Sequence, residues 1–529
     1  MKQSKVYFEF KKRLVFGEAS HFRSVVTPHT RHQTLWQALA AVFIAIVFGL
    51  GLNYFLWPLK QIRGIPTISF WVALLPLFKD VDQQQIFKKH IDEPLRKHGA
   101  VKIFFAAQWN LLVHRPEYLA EIFKREDIYK KSGNFKKIPN SVLATLLGDN
   151  VISSHGETWK LYTQLIKPGL QMAPDFGILI GNARRLCSIF VDLQARAKTR
   201  GVGVQESIQR YTIANFGQLQ YNVDFGYQMK REIFKPIFMN FPFLDNLPFP
   251  SRQRARQLAS HFADQLVLAL ENGHNSNKSD KSEKDQQSQL PRTLLEARNA
   301  GRLTEKQFRD NVTILFVAGQ ENPQLAIISI LYLLAKHPDV QEQLFHELTH
   351  APDEEISQEH LQGLPLLAST IYECLRLFPP IGQLINRRVS TTINLGGEIL
   401  IPAGTYAGYN CYSTNRDPMA WGEDAEKFRP RRWGQSCVDI QKEYRRRRAR
   451  AEFISFHGGQ RACLGERFAI LQLKATLYVL VTSLRWRLDP TWQDRMTPAG
   501  PLYPRNLRLI FEEREVGSPL PAQNTPQPA

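Results

Sequence analysis

Between Thr304 and Pro338 lies the feature that most narrows what this chain can fold into, a long apolar stretch of helical periodicity, DNVTILFVAGQENPQLAIISILYLLAKH. Thr304 with Gln307 three residues on is a capping-box pattern that opens a helix, and Pro338 stops it. A helix so long and so apolar is expected to run through the middle of a large core. Its polar island, Gly319-Gln320-Glu321-Asn322, is then hard to explain as packing, because buried polar groups demand partners. Pro323 removes the backbone N–H that would have bonded the carbonyl of Gly319, which frees that carbonyl and is expected to bend the helix.

Around this helix the pattern stays helical. A second helix is expected from about Gln358 to Phe378, ended by Pro379-Pro380, whereas LGGEILIPAGTYAGYN alternates apolar and polar residues as short strands and turns do. The fold class is therefore mainly α with a small β portion. The polar stretch 271–292 lacks apolar residues until Leu290 and reads as a disordered surface loop; 514–529, rich in Pro, Gln and Ala, reads as a disordered tail. At 43% hydrophobic and 11% aromatic residues, the 529-residue chain can bury a large core. Its cysteines, Cys187, Cys374, Cys411, Cys437 and Cys463, form no CxxC pair, which argues against a disulfide scaffold or structural zinc and fits a reducing compartment.

From Leu35 to Trp57 the chain is free of charge, and Trp36, Tyr54 and Trp57 sit near the two ends as interfacial aromatics do. This reads as a single transmembrane anchor, 35–57, after a basic segment 1–34 and before a catalytic domain 58–513. The 34 preceding residues and the lack of a small-residue cleavage site set it apart from a signal peptide. Ile68–Phe78 is apolar but too short to span and is interrupted by Pro76. The net charge of +19 is spread along the chain, and its one dense run, Arg445-Arg446-Arg447-Arg448-Ala449-Arg450, has neither interleaved aromatics nor a nucleic-acid module around it. The expectation is the anionic surface of a lipid bilayer or an acidic protein partner, and no nucleic acid.

Chemistry concentrates in Phe456-His457-Gly458-Gly459-Gln460-Arg461-Ala462-Cys463-Leu464-Gly465, which matches F-x-x-G-x-R-x-C-x-G and leads into a helical pattern. A thiolate just before a helix is stabilised by the helix dipole and by backbone N–H groups, which suits it to bind a metal. Glu373-Cys374-Leu375-Arg376 places an acid and a base on one helix face. Phe428-Arg429-Pro430-Arg431-Arg432-Trp433, Asn415-Arg416-Asp417-Pro418 and Ala318-Gly319-Gln320-Glu321-Asn322 complete an ordered series of motifs.

In these motifs, over roughly Gly64 to Glu513, the chain resembles the cytochrome P450 superfamily. The resemblance implies the cytochrome P450 fold and haem b, with Cys463 as axial thiolate to the iron. It implies that Arg461 and Arg388 meet haem propionates, with Arg387 beside the latter, and that Trp159 contacts the other propionate. Gly459 and Gly465 would let backbone approach the macrocycle, and Phe456 would pack beside the ligand. Four positions after Trp159, where a base is usual, this chain has Thr163; Lys160 is the possible substitute. Glu373, Arg376 and Arg432 would form a structural cluster. Gly319, Glu321 and Asn322 fall where the family organises water and protons around dioxygen, but Asn322 stands in place of the usual threonine.

The activity so implied is that of a monooxygenase, oxidising a small-molecule substrate with dioxygen and two electrons from an NADPH-dependent cytochrome P450 reductase, which would dock on a basic proximal face. The implied location is the endoplasmic reticulum membrane, single-pass, catalytic domain to the cytosol. The basic residues before the span favour the opposite orientation, and Asn277-Lys278-Ser279 is a glycosylation signal that would report it. The Glu-Asn-Pro variant is similar to a fungal branch that includes enzymes making dityrosine from N-formyl tyrosine. That makes oxidative coupling of tyrosine-derived substrates, or another step in secondary metabolism, an alternative to plain hydroxylation. A reductase-independent haem-thiolate isomerase and a membrane haem protein without turnover are the other readings.

Overall fold

The computed structural model describes residues 28–56, 59, 61–106, 108–221, 236–276, 289–350 and 356–514. The chain divides into two compact units, Met1–Trp57 and Pro58–Ala529. In the first, a helix of 29 residues runs from Pro28 to Leu56, seven residues ahead of the expected span. Its described apolar part, Trp36–Gly51, is shorter than the about 20 residues that a membrane span takes. Its side chains from Trp36 to Gly51 form a continuous apolar stretch, with Trp36, Phe43 and Phe48 exposed.

The second unit is mainly helical. Its central helix, Glu305–Lys336, starts on the expected capping box, in which Thr304 and Gln307 bond reciprocally, and it continues through Pro323 without a break. This is the one helix among the described residues long and apolar enough to cross a membrane, yet 72% of its apolar window is buried inside the fold, as a core helix requires. Helices Gln205–Tyr221, Pro250–Ser276, Pro365–Leu377 and Glu466–Ser483 lie against it. Phe216, Tyr221, Phe262 and Phe316 interlock between the first two of these and the central helix, with ring centroids 5.2 to 6.2 Å apart.

The β portion is a five-stranded sheet in the order 100–105, 108–113, 406–410, 383–389, 129–131, with a three-stranded and a two-stranded sheet beside it. Two expectations need correction. The helix expected from Gln358 to Phe378 is two helices, Gln358–Gln362 and Pro365–Leu377, because Gly363 ends the first and Pro365 starts the second at its first turn. The expected loop 271–292 is helical at both ends. Pro250–Ser276 extends into it where Glu271 pairs with Arg298 at 2.6 Å, and Gln289–Asn299 begins inside it on buried Leu290 and Pro291. Residues 277–288, with the Asn277 signal, and the tail from 515 lie outside the described residues.

What fixes the end of helix Pro365–Leu377 is one carboxylate. Glu373, fully buried, accepts from Arg376 Nε and Nη2 at 2.8 Å each and from Arg432 Nε at 2.8 Å. It also accepts from Trp433 Nε1 at 3.0 Å and from the backbone N–H of Arg429 at 2.9 Å. Arg376 spends its remaining donors on the carbonyls of Asn415 (2.9 Å), Ala425 (2.6 Å) and Lys427 (3.2 Å). Asn415 then accepts the Ile454 N–H at 3.0 Å and donates to Ser455 Oγ at 2.8 Å, which carries the network to the segment leading into Cys463. Two arginines around one desolvated carboxylate tolerate no missing partner. Glu373→Ala therefore costs about 3–5 kcal/mol, read as a lowered midpoint with unchanged slope in urea unfolding.

Candidate active site

The cysteine segment is built backward from its helix. Glu466–Ser483 begins after Gly465, whose backbone N–H is directed at the Cys463 sulfur, and the Cys463 N–H donates to the Phe456 carbonyl at 3.0 Å. Phe456 itself is buried in the main core. Cys463 is exposed as a residue although protein packs around its thiol. Burial pushes the thiol up to about 11, against the Gly465 N–H and the Arg448 charge, which lower it. Such a thiol keeps its proton at neutral pH until a cation stands opposite it, and metal binding supplies that cation.

The two glycines do different work from each other. Gly459 takes φ +64°, and a Cβ there would lie 2.2 Å from the Phe123 carbonyl oxygen. Its small size therefore serves close packing on helix Pro116–Lys124 and a left-handed turn rather than approach to a macrocycle. Gly465 faces open space, with nothing within 4 Å of its Cβ position.

Beyond the cysteine, cations converge. Arg461 Nη1 meets Glu126 at 2.7 Å, and its Nη2 donates to the carbonyls of Val151, Ile152 and Ser154 at 3.2, 3.2 and 2.9 Å. Its guanidinium lies 4.5 Å over the Trp159 ring, so these two expected site residues are together. Arg388 is not with them. It is exposed, donating to the Gly404 carbonyl at 3.3 Å, and the buried arginine is Arg387, bonded to the other Glu126 oxygen at 2.5 Å and to the Tyr129 carbonyl at 2.7 Å. Strand alternation explains the correction: Ile385, Arg387 and Val389 share the buried face, which turns Arg388 outward. Lys131, opposite Arg387 in the sheet, is buried as well and bonds Asn386 Oδ1 at 3.1 Å. Burial, with Arg387 and Arg461 adding to it, holds the Lys131 ammonium well below its ordinary value. Lys160 does not substitute for the missing base; it points outward to Glu157 at 2.7 Å, and the buried Thr163 hydroxyl has no partner among the described residues.

On the central helix the island divides. Gly319 is a packing position, since a Cβ would come 2.0 Å from the Phe216 ring. Asn322 Nδ2 donates to the Ala318 carbonyl at 3.3 Å, so its amide is tied to its own helix. Glu321 has no bonding or ionic partner among the described residues, and burial alone raises its carboxyl above the usual range. The basic run is also not a free stripe. Arg446 and Arg447 each hold Glu443 at 2.6 Å, Arg447 also holds Glu452 at 2.8 Å, and Arg448 holds Glu466 at 3.0 Å.

A helix-start thiol beside three buried cations and one carboxylate fits haem. Counted formally, Lys131, Arg387 and Arg461 against Glu126 leave two positive charges in excess, which two propionates would answer, and Arg387 Nε is a buried donor with no partner among the described residues. This is the make-up of a haem-thiolate enzyme, and comparison with known proteins agrees. The family model for cytochrome P450 matches residues 66–509, and the chain belongs to that family. It is 40% identical over 470 residues to cytochrome P450-DIT2 of Saccharomyces cerevisiae, covering 86% of this chain and 94% of the relative. It is 36% identical over 487 residues to cytochrome P450 monooxygenase xanG of Aspergillus fumigatus, covering 87% and 89%. The solved haem domain of cytochrome P450DA shares the fold, with a TM-score of 0.68 at 17% identity over 86% of this chain and 98% of that one. The protein is thus an oxidoreductase of a fungal P450 branch, using haem iron held by a cysteine. Lys131 and Glu126 were missed in the sequence and Arg387 was named only as the neighbour of Arg388, although the period-two pattern of 383–389 carried the signal for it. Purified Arg387→Ala is expected to lose haem to apomyoglobin at least tenfold faster than wild type, an effect that follows from losing a charge-assisted bond, while Arg388→Ala stays at the wild-type rate.

Proposed function

We propose that this protein is a membrane-anchored monooxygenase that oxidises a small, tyrosine-derived or related aromatic substrate with electrons from NADPH-cytochrome P450 reductase. When bound at Cys463, the haem supplies dioxygen chemistry, and the thiolate promotes oxygen–oxygen cleavage. Arg387, Lys131, Arg461 and Trp159 hold the propionate edge, and the Glu373, Arg376 and Arg432 cluster keeps the cysteine segment in place. The helix Pro28–Leu56 serves as the anchor, with the catalytic domain in the cytosol at the endoplasmic reticulum. Domain limits of 1–34, 35–57, 58–513 and 514–529 belong to the same proposal. With the arginines of 446–448 paired internally, reductase docking falls to other basic residues, including exposed Arg445 and Lys442.

The observation that carries the reaction is Glu321, a desolvated carboxyl on the central helix with no partner among the described residues. Its raised pKa means that it keeps its proton to higher pH than an ordinary glutamate, so it is a proton donor at the point of the helix where Asn322 has no hydroxyl to offer. The amide of Asn322, bonded to Ala318, orients but cannot relay. Radical coupling of phenols, which takes the same dioxygen, electrons and protons as hydroxylation but ends in a bond between two phenols, is the favoured alternative outcome.

Reconstitution with reductase and NADPH tests this reading: substrate-stimulated NADPH consumption is expected, and haem protein that turns over substrate without reductase would favour an isomerase. In that assay turnover falls as pH rises through the raised Glu321 value, because the protonated form is the active one. Glu321→Gln is expected to slow turnover roughly a hundredfold and to remove that step from the pH profile.

A further inference from the structure

Within the cysteine segment, His457 holds a backbone conformation that its side chain resists. Its φ is +61°, in the left-handed region that glycine takes freely and that strains a residue with a Cβ. The next two residues are glycines pressed on Phe123, where a Cβ would lie 2.5 Å from its ring at Gly458 and 2.2 Å from its carbonyl oxygen at Gly459. The segment thus uses small residues where packing demands them and keeps a large one at 457 against the preference of the backbone.

The ring of His457 is engaged in a polar contact. Its Nδ1 lies 3.0 Å from the Tyr409 hydroxyl, and the two rings meet edge-on with centroids 5.7 Å apart. Tyr409 is fully buried on strand 406–410, held edge-on against Phe123 at 5.2 Å, and burial keeps its phenol protonated far above the ordinary range. Its hydroxyl has no other acceptor among the described residues, so its hydrogen goes to Nδ1. Burial, with the charges of Lys131, Arg387 and Arg448 adding to it, pulls the imidazole down to about 3, which leaves the ring neutral at physiological pH. A neutral imidazole that accepts at Nδ1 carries its hydrogen on Nε2, and that N–H has no acceptor among the described residues.

An unanswered donor in the field of Lys131 and Arg387 shares their need for an acceptor. The formal charge of Lys131, Arg387 and Arg461 over Glu126 already balances two carboxylates, so a further hydrogen bond to that pair has to come from a group that adds no charge. A neutral imidazole is such a group.

We propose that His457 is a haem-binding residue whose Nε2–H donates to a propionate, and that Tyr409 is the positioning residue that fixes the tautomer making it a donor. The assignment rests on haem bound at Cys463 and is independent of the substrate. It gives the segment that carries the iron ligand a second hold on the same group, six residues ahead of Cys463.

The test compares wild-type holoenzyme with His457→Gly, His457→Gln and Tyr409→Phe. Glycine relieves the left-handed backbone, so any loss in that variant comes from the missing ring, whereas glutamine restores a neutral N–H donor. His457→Gly should lose haem to apomyoglobin roughly tenfold faster than wild type, the low end of what a hydrogen bond to a charged group gives. Its propionate bending band in the resonance Raman spectrum should move from the wild-type position. His457→Gln should recover most of both, and Tyr409→Phe should give an intermediate band. A His457→Gly protein with the wild-type rate and band would overturn the inference. Faster haem loss with an unmoved band would overturn it too, since the ring would then serve the loop alone, as would a glutamine variant no better than glycine.

Discussion

The structure hangs on the ion pair between Glu373 and Arg376, closed by Arg432. A glutamate on the solvent side of a helix would contribute little, but here both partners of the pair are fully buried, where an unpaired charge costs several kcal/mol. The remedy is complete saturation: five donors on one carboxylate, and an arginine whose other hydrogens close on three carbonyls. Each of those carbonyls lies on the irregular stretch between the strands and the cysteine segment. A loop without regular hydrogen bonds is thereby given fixed coordinates, and Asn415 passes them on to Ile454 and Ser455.

From that anchorage the site's electrostatics follow. The thiol is raised by burial, Arg461 is lowered to about 10 by the same cause, and Lys131 and Arg387 crowd around a single glutamate. Burial disfavours the charged forms of the thiol, Arg461 and Lys131, and an iron porphyrin with two carboxylates would answer them together: metal for the thiol, propionates for the cations. Burial acts on Glu321 in the same sense as on the thiol, keeping a carboxyl from its charge. Two acids are thus kept protonated by burial, the thiol until a metal cation replaces its proton and Glu321 as a proton donor.

Much of this was legible in the chain. The capping box at Thr304, the cysteine segment and the acid–base pair of Glu373 and Arg376 are local patterns whose physics operates over three or four residues, and each falls where expected. What the chain concealed depended on facing and on distance. Arg388 and Arg387 differ by one residue, and only the register of strand 383–389 decides which points inward. Gly319 looked like part of a reactive island until Phe216, about a hundred residues away, filled the space beside it. The arginine run 445–450 reads as free charge in one dimension, whereas its carboxylates come from the preceding helical turn and from Glu452 and Glu466 beyond it. The polar stretch 271–292 proved partly helical because Glu271 had a distant partner in Arg298.

The central claim is that Cys463 is the thiolate under haem iron, and the reduced, carbon-monoxide-bound spectrum tests it most directly. The purified protein should give the red-shifted Soret band of thiolate ligation, and Cys463→Ser should bind haem without that band. A wild-type spectrum lacking the red-shifted band, or a serine variant that kept it, would contradict the account.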